Sequence, residues 1–371
     1  MFGFKHTMNN LDHNRIDHKV DLEGLYPYLL VRFNYAFYEE LQHGRAENGE
    51  MTLSMAHICR KLSSRMMSLI FFGDKLTSNE KFSAALLQYS RDMINCMMAF
   101  QVTPGFLSPI VHFIITKRGR AMHILQSHFY DIMGPGRENW DEPEAIKPYT
   151  IIHNMTNLGS SSRYWDGADV KSQNLLGVWF AASHQPWMNL HFILLELCAQ
   201  PDWQVRLRQE LEGCGDFLDY DNLRNLPFLD SLIKETLRLN PLDTLGVRRK
   251  AVEAYTFTDG SVTVPRGATI CVPAGDILHD AQIYAQPDQF EGTRFLPKST
   301  QSRPSRFTDV SHEYPMWGYG SLACPGRFHA ELVIKMVLSQ LLLKYDMRLL
   351  NGNARKNGHG KLSRFRMSQL E

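Results

Sequence analysis

The sequence has no excess of either charge. Lysine and arginine together number 40, and aspartate and glutamate 39, so the formal net charge at pH 7 is +1. Proteins that attract nucleic acid or acidic membranes through a long-range field carry a clear basic surplus. The composition therefore gives no reason to expect a nucleic-acid partner. Its hydrophobic content, 44%, is that of an ordinary globular protein.

Closely spaced cysteine pairs are also missing from the sequence. The six cysteines lie at positions 59, 96, 198, 214, 271 and 324, and none of them forms a C-x-x-C pair. Zinc ribbons need such pairs, and disulfide scaffolds are typical of short secreted chains. Free thiols in a reducing compartment are the simpler interpretation.

No long stretch of the sequence is free of polar residues. The most apolar one, residues 175–197, contains His184, Gln185 and Pro186, which a lipid-facing helix rarely accepts. The first six residues resemble neither a signal peptide nor a spanning helix. We therefore expect no membrane anchor in this chain, and we predict that residues 169–200 form a long buried helix.

Helical periodicity is present over the first two thirds of the sequence. Apolar residues recur three and four positions apart, as from Met55 through Leu62 to Leu69, and Gly73 would end that helix. The same pattern predicts further helices near 29–41, 80–100, 107–132, 169–200, 203–212 and 228–239, and a last one through 332–341.

Beyond Pro241 the pattern changes to that of short strands. Residues 254–258, 262–264 and 269–272 alternate with glycine- and proline-containing turns. A loop-rich segment follows, and the basic tail at 355–366 is expected to be solvated and loosely structured. The sequence thus predicts a mostly α fold with small β-sheets.

One segment carries chemistry: Trp-Gly-Tyr-Gly-Ser-Leu-Ala-Cys-Pro-Gly-Arg at 317–327, just before the last helix. Its glycines permit tight turns and the close approach of a flat ligand to the backbone. Cys324 precedes a helix N-terminus, where the dipole and backbone N–H groups favour a thiolate. A thiolate that faces a planar cofactor can bind haem iron. The alternative is a glycine-rich connector with a buried structural thiol.

This segment resembles the cysteine-ligand loop of the cytochromes P450. In that family an aromatic residue lies seven positions before the cysteine, with glycines six and four before it and two after it. Those places are taken here by Trp317, Gly318, Gly320 and Gly326. The resemblance implies that these residues cradle haem b and that Cys324 is the iron ligand.

The basic residues that hold haem propionates match the family less well. Leu322 stands where the family usually has His or Arg for this purpose. Arg249, near the first strand-like piece, aligns with an arginine that reaches a propionate in the family. A solvated surface arginine is the alternative for Arg249, and both interpretations stay open.

Three charged residues match a further element of the family. Glu235 and Arg238 share one face of a predicted helix, and Arg294 lies in the segment 290–295. The resemblance implies a buried triad, in which the glutamate pairs with both arginines behind the haem. Without the resemblance, a Glu–Arg pair of this spacing is usually solvated and of little energetic value.

The central helix departs from the family at its proton relay. The family has a small pair followed by an acid and a threonine, whereas this sequence reads Ala-Ala-Ser-His-Gln-Pro at 181–186. His184 stands at the place of the acid and Gln185 at that of the threonine. The pKa of histidine suits proton delivery, but a lone histidine in an apolar helix is often a core residue. Both interpretations of His184 stay open.

The resemblance is good over residues 170–350 and weaker over the helical part at 1–170. It implies a single haem-binding domain spanning residues 1–371. The chain begins near or just after the helix that holds a propionate in the family, and the family's final strand pair is hard to find. We therefore expect a cytochrome P450 fold that is incomplete at the N-terminus and curtailed at the C-terminus.

The resemblance implies a haem-thiolate monooxygenase that oxidises a small apolar metabolite, as in secondary-metabolite biosynthesis. Electrons would come from NADPH through a reductase partner. Two alternatives stay open: an isomerase or dehydratase of the same fold that does not activate oxygen, and a non-catalytic truncated remnant. The family implies the cytoplasmic side of the endoplasmic reticulum. The lack of a visible anchor leaves a soluble cytoplasmic location open as well.

Overall fold

The computed structural model describes residues 17–133, 143, 145–157, 167–215, 218–299, 303–350 and 364–370. The first half of this part is helical. Its helices are α1 (Asp17–Gln42), α2 (Met55–Ser78), α3 (Glu80–Phe100), α4 (Ser108–Ile115), α5 (Arg120–Met133), α6 (Ile151–Asn157) and α7 (Ala168–Ala199). Among the described residues, no helix is both long and apolar enough to cross a bilayer.

The second half adds shorter helices and small sheets. The helices are α8 (Pro201–Glu212), α9 (Tyr220–Arg224), α10 (Pro227–Leu239), α11 (Ala274–Leu278) and α12 (Arg327–Lys344). The strands are β1 (Arg45–Glu47), β2 (Glu50–Ser54), β3 (Gly246–Lys250), β4 (Tyr255–Thr256), β5 (Thr263–Val264), β6 (Thr269–Val272), β7 (Tyr345–Leu349) and β8 (Arg364–Gln369). The predicted fold class, mostly α with small sheets, is confirmed.

Backbone contacts divide the chain into two compact units. The first comprises Met1–Arg45 and Ala56–Trp187, and the second Ala46–Met55 and Met188–Glu371. The core of the first unit is aromatic. Phe72 packs against Phe82, Phe129 and Trp179, with ring centroids 5.2, 5.6 and 6.0 Å apart. These rings join α2, α3, α5 and α7 around one centre.

Gly73 ends the first helical segment of α2, as the sequence predicted, and a second short segment follows it. Gly73 adopts φ 80° and ψ −177°, and helical backbone resumes after this kink as far as Ser78. Thr77 Oγ1 donates to the Gly73 carbonyl at 2.6 Å, and Arg32 donates to Thr77 Oγ1 at 3.0 Å. These side-chain bonds hold the last turn of the helix in place after the break.

The helix predicted over 107–132 is two helices, α4 and α5. Between them Lys117, Arg118 and Gly119 have φ of 49°, 64° and 71°. Three successive residues in the left-handed region turn the chain sharply. The run Thr-Lys-Arg-Gly-Arg at 116–120 interrupts the apolar pattern at this turn, and the prediction of a single helix passed over that signal.

In the second unit, α8 is fixed to the end of α12 and to β7. Gln204 pairs with both backbone groups of Met347, donating to its oxygen at 2.7 Å and accepting from its nitrogen at 3.0 Å. Arg208 donates to the carbonyl of Leu342 at 2.7 Å and to that of Tyr345 at 2.9 Å. The bonds from Arg208 occupy carbonyl groups at the end of α12, and those from Gln204 occupy backbone groups of the edge strand β7.

The largest sheet has the strand order β1-β2-β8-β7. Strand β8 pairs antiparallel with β2 and with β7, so that Phe365 faces both Leu53 and Leu349. Phe365 and Met367 are buried. Two predictions were therefore wrong: the final strand pair is present, and the described end of the basic tail, residues 364–366, is ordered strand. The rest of that tail, 355–363, lies outside the described residues.

The two small sheets lie near the predicted strands. Strands β4 and β5 form a two-stranded ladder, as do β3 and β6. Strand β6 has the predicted bounds, whereas β4 and β5 are shorter than predicted. Strand β3 was not predicted, because three of its five residues are basic and only one is β-branched.

Candidate functional site

The segment around Cys324 is a tightly bonded loop. Two 3₁₀ turns, Pro315–Trp317 and Gly320–Leu322, precede it, and Gly326 caps α12. The N–H of Cys324 donates to the Trp317 carbonyl at 2.7 Å, closing the loop. The Trp317 indole donates to the Phe307 carbonyl at 2.7 Å, and the two rings lie 5.0 Å apart. The tryptophan therefore anchors the loop to the segment before it.

Two glycines in the loop have backbone conformations that other residues rarely adopt. Gly318 has φ 75° and Gly320 φ 60°. A Cβ at Gly318 would lie 3.2 Å from the Leu322 carbonyl oxygen, whereas one at Gly320 would meet nothing within 4 Å. Gly318 thus permits a close approach within the loop. Gly320 leaves open space on the loop surface, where Tyr319 and Leu322 are exposed.

Opposing effects act on the Cys324 thiol. Burial raises its pKa, while the backbone N–H groups of Gly326 and Arg327 and the charge of Arg327 lower it. Burial is the largest effect, so the loop alone does not produce the thiolate that the sequence led us to expect. A metal cation bound to the sulfur would lower the pKa of the thiol, since a coordinating thiol is deprotonated. None of the six cysteines is part of a disulfide.

The structure brings Glu235, Arg238 and Arg294 together. Arg238 meets the carboxylate of Glu235 with two nitrogens, at 2.8 and 3.0 Å, and Arg294 Nε lies 2.9 Å from the same carboxylate. Glu235 and Arg238 are completely buried. The alternative of a solvated surface pair therefore does not describe this cluster.

The same cluster holds the chain between α11 and Arg294. Arg238 donates to the Leu278 carbonyl at 2.6 Å, and Arg294 donates to the carbonyls of Ala285 and Gln289 at 2.7 and 3.0 Å. The guanidinium of Arg238 also lies over the Tyr284 ring, 5.0 Å from its centroid. Side-chain bonds to backbone carbonyls thus hold the segment between α11 and Arg294 in place.

A second buried charge cluster escaped the sequence analysis. Lys335 Nζ lies 2.8 Å from Asp230 and 3.1 Å from Glu331, and all three side chains are buried. Burial raises the pKa of Asp230 to about 6, against the lowering effect of Lys335. Asp230 also accepts from the N–H of Phe307 at 3.0 Å. Since Phe307 holds Trp317, this cluster connects α10 and α12 to the cysteine loop. The i,i+4 spacing of Glu331 and Lys335 was the available signal.

The candidate propionate ligand, Arg249, lies at the surface of the second unit. Arg249 is exposed on β3, and its guanidinium donates to the carbonyl of Arg248 at 2.8 Å. Arg248 pairs with Asp243 at 2.8 Å. Nothing in these contacts prevents Arg249 from reaching a ligand, and its role stays a prediction.

His184 and Gln185 belong to the first unit. His184 is half-buried; its ring stacks on Phe180, with centroids 5.6 Å apart, and Nδ1 lies 3.1 Å from the Trp187 indole nitrogen. Burial, and secondarily the charge of Arg60, lower the pKa of His184. Gln185 is exposed. It ends a stripe of exposed residues spaced four apart, on a helix whose other residues are mostly buried or half-buried: Asp169, Gln173, Gly177, Ala181 and Gln185.

A mostly helical fold with a glycine-flanked cysteine before its last long helix is typical of haem-thiolate proteins. A family model, Cytochrome P450, matches residues 29–367. The chain therefore belongs to the cytochrome P450 family.

Individual relatives agree with this assignment. The chain is 29% identical to cytochrome P450 monooxygenase janP of Penicillium janthinellum over 87% of its own length and 63% of the relative's. It is 30% identical to cytochrome P450 monooxygenase paxP of Penicillium paxilli over 87% of its length and 64% of the relative's. It thus spans a little under two thirds of these curated relatives.

A solved structure supports the fold. The chain aligns with retinoic acid-bound cyanobacterial CYP120A1 at a TM-score of 0.72 and 18% identity, over 94% of this chain and 75% of the other. At this identity the similarity concerns the fold alone.

The residues of the cysteine loop fit the haem that the family implies. The only sulfur donor in the loop is Cys324, a free thiol that is partly accessible and receives backbone N–H groups. The space beside Gly320 is open. Soft thiolate sulfur is the donor that such haem proteins use. Cys324 would therefore hold the iron, Gly318 would permit the tight fold of the loop, and the open space beside Gly320 would admit the ring.

Proposed function

We propose that the protein is a haem-thiolate monooxygenase that oxidises a small apolar metabolite in secondary-metabolite biosynthesis. The observation that supports this most directly is the cysteine loop, closed by the bond from the Cys324 N–H to the Trp317 carbonyl. In this reaction one oxygen atom of O₂ enters the substrate and the other becomes water. NADPH supplies two electrons through a reductase partner.

The residues of the chain have separate parts in this proposal. Haem b bound at Cys324 would supply the oxygen chemistry. Trp317, Gly318, Gly320 and Gly326 shape the loop that carries the thiol, and the triad of Glu235, Arg238 and Arg294 keeps the segment after α11 in place. Arg249 would hold a propionate.

His184 and Gln185 would serve proton delivery. The neutral imidazole of His184 can carry one proton and accept another, so it can pass a proton on. Gln185 can donate a hydrogen bond from its amide but does not exchange protons readily. We assign the transfer to His184 and the orientation of bound ligands to Gln185.

We propose further that residues 1–371 act as a single haem-binding domain, with residues 170–350 as its best-matched core. We place the protein on the cytoplasmic side of the endoplasmic reticulum, where its reductase would be found. Neither proposal depends on the identity of the substrate.

A second candidate is an isomerase or dehydratase of the same fold. It is favoured by Gln185, because an amide at this place does not relay protons as a hydroxyl does. Such an enzyme would act on a peroxide or epoxide and would need no reductase.

The test uses purified protein together with an NADPH-dependent reductase. A monooxygenase should take up haem, show the thiolate-shifted Soret band of the ferrous carbonyl complex, and consume O₂ only when NADPH and reductase are present. Haem uptake with turnover independent of NADPH would favour the isomerase. Protein that takes up no haem would instead be a non-catalytic remnant, and the proposed function would then be wrong.

A further inference from the structure

A cavity of about 450 Å³ lies beside α10 in the second unit. Its walls include Lys234 from α10, Phe295 from the segment after α11, and Ser305 and Tyr314 from the segment before the cysteine loop. The described lining contains none of residues 317–327, so the cavity is distinct from the candidate haem site. Pockets that bind small molecules commonly have about 300–1,000 Å³.

The ammonium of Lys234 is held by three side chains that line this cavity. Nζ donates to Ser305 Oγ at 2.7 Å, and it lies 4.7 Å from the centre of the Phe295 ring and 4.8 Å from that of Tyr314. A longer bond, 3.5 Å, goes to the Arg306 carbonyl. Only 4% of Lys234 is exposed. The nitrogen therefore lies at the wall of the cavity and is shielded from bulk water.

These surroundings favour the neutral amine. Burial lowers the pKa of Lys234 to about 8, and the charges of Asp309 and Asp230 offset only part of this effect. At pH 7 an amine of this pKa has ~300-fold more of its neutral form than an unburied lysine has. The neutral amine is the nucleophile, and lysines that form Schiff bases are activated by such desolvation.

The charges at the cavity favour a neutral ligand. Lys234 and Arg303 are the bases in its described lining, and Asp309 and Glu313 are the acids. Arg303 is already paired with Asp309, at 3.0 Å. Because the two signs are balanced, an anion or a cation would gain little from this set of side chains.

The aromatic side chains favour a ligand with a flat apolar body. The ring of Phe295 lies 6.1 Å from that of Tyr284 and 5.6 Å from that of Tyr314, and both pairs meet edge to face. All three rings line the cavity. A further ring can pack against them in the offset or perpendicular arrangements that aromatic groups prefer.

We propose that Lys234 is a covalent binding site for neutral aldehydes with an aromatic or other flat apolar body. The nitrogen lone pair forms a bond to the carbonyl carbon, and one hydrogen passes from nitrogen to the carbonyl oxygen. The second hydrogen then leaves with the hydroxyl group as water, and an imine remains. This condensation needs no oxidant or reductant. The site depends on neither haem nor turnover.

The experiment is the labelling of the full chain with benzaldehyde and sodium cyanoborohydride, which reduces the imine to a stable amine. Peptide mass spectrometry identifies the labelled lysines. At pH 7 Lys234 should be labelled at least ~10-fold faster than Lys250, which is exposed on β3, because more of its amine is neutral. The rate should reach a plateau as the benzaldehyde concentration rises, since the aldehyde binds in the cavity before it reacts.

Two variants separate the effect of the cavity from that of the amine. Val310→Trp places a large ring at the cavity wall and should slow the labelling of Lys234 by at least ~10-fold. Val252→Trp, at a position that is 79% exposed, is its matched control and should be labelled like the wild type. Ser305→Ala removes a hydroxyl that stabilises the ammonium, so its Lys234 should be labelled faster at pH 7.

Lys335 is the control for transient unfolding. It is completely buried against Asp230 and Glu331, and it is not part of the described cavity lining. It should therefore be labelled more slowly than Lys250.

Three results would overturn the proposal. Lys234 could be labelled no faster than Lys250, or the Val310→Trp variant could be labelled as fast as the wild type. The third is equal labelling of Lys234 and Lys335, which would show that both react only in the unfolded chain. Loss of the carbonyl spectrum with fast labelling of Lys234 would count against the proposed function alone.

Discussion

The indole nitrogen of Trp187 lies 3.1 Å from Nδ1 of His184, one helical turn earlier in α7. An indole N–H can only donate, so the neutral imidazole accepts at Nδ1 and carries its proton on Nε2. Trp187 thereby selects the nitrogen of His184 that is free to donate a proton elsewhere.

Trp187→Phe should raise the pKa of His184. The bond from the indole stabilises the neutral ring, which accepts at Nδ1, and the charged ring has no acceptor to offer. Titration of the His184 ring by ¹⁵N NMR measures the change and the tautomer. Trp203→Phe is the matched control, because Trp203 donates to Gln200 at 3.0 Å in the second unit. A His184 titration that is the same in both variants would contradict the assignment.

His184→Ala should lower the amount of product formed per NADPH consumed, with the missing product replaced by peroxide. The reason is that Gln185 cannot deliver the proton in place of the imidazole. Gln185→Thr should keep or improve the coupling. If the ratio of product to NADPH is unchanged in His184→Ala, the histidine does not deliver the proton and only packs within the helix.

Cys324→Ser should abolish the thiolate-shifted Soret band of the ferrous carbonyl complex. A serine hydroxyl is a poor ligand for haem iron and supplies no thiolate. Cys271→Ser, at an exposed position, and Cys59→Ser, at a buried one, should keep the band. A normal band in the Cys324 variant would show that Cys324 is not the iron ligand.

Glu235→Ala should destabilise the protein by about 3–5 kcal/mol and prevent haem uptake, because it leaves two guanidinium groups without their carboxylate. Urea unfolding and haem content measure the two effects. Asp243→Ala is the control: it removes the exposed partner of Arg248, and such pairs contribute about 0–1 kcal/mol. If both variants unfold at similar urea concentrations, the buried triad contributes no more to the stability of the protein than the exposed ion pair does.

Lys234→Met should change how stability depends on pH. Burial lowers the pKa of Lys234 to about 8 from 10.5, although Asp309 and Asp230 raise it. Between these pH values the folded state binds fewer protons than the unfolded state, so this group makes the protein more stable as pH rises. This gain in stability is complete at pH values above 10.5, the pKa of an unburied lysine, and it is lost as the pH falls through about 8.

The variant lacks this titration, so its stability relative to wild type should fall between pH 8 and 10.5. Free energies of urea unfolding at several pH values give the comparison. Lys250→Met, at an exposed position on β3, should follow the wild-type curve in shape. A constant difference between wild type and Lys234→Met across this range would show that the ammonium is solvated.

The features that the sequence predicted well are those that depend on nearby residues. The cysteine loop has fixed spacings within eleven residues, and α10 has a strong apolar periodicity. Strand β8 was missed because its partners, β2 and β7, lie elsewhere in the chain, and because its alternating residues belong to a basic tail that was expected to be solvated. The break between α4 and α5 was missed because the apolar residues before and after 116–120 were joined into one helix, although that run has no apolar side chain and contains Gly119. We expected a thiolate at Cys324 because of the helix dipole. Desolvation of the buried thiol, which raises its pKa, cannot be read from the local sequence.

The pairing of β2 with β8 also has a consequence for biosynthesis. Glu50 in β2 meets Arg348 in β7 and Arg366 in β8, about three hundred residues later in the chain. A ribosome releases Glu50 long before it has made either arginine. During that interval β2 has an open edge to which other chains can pair. Completion of this sheet must therefore wait until β8 has left the ribosome, and the newly made chain depends on protection of that edge until then.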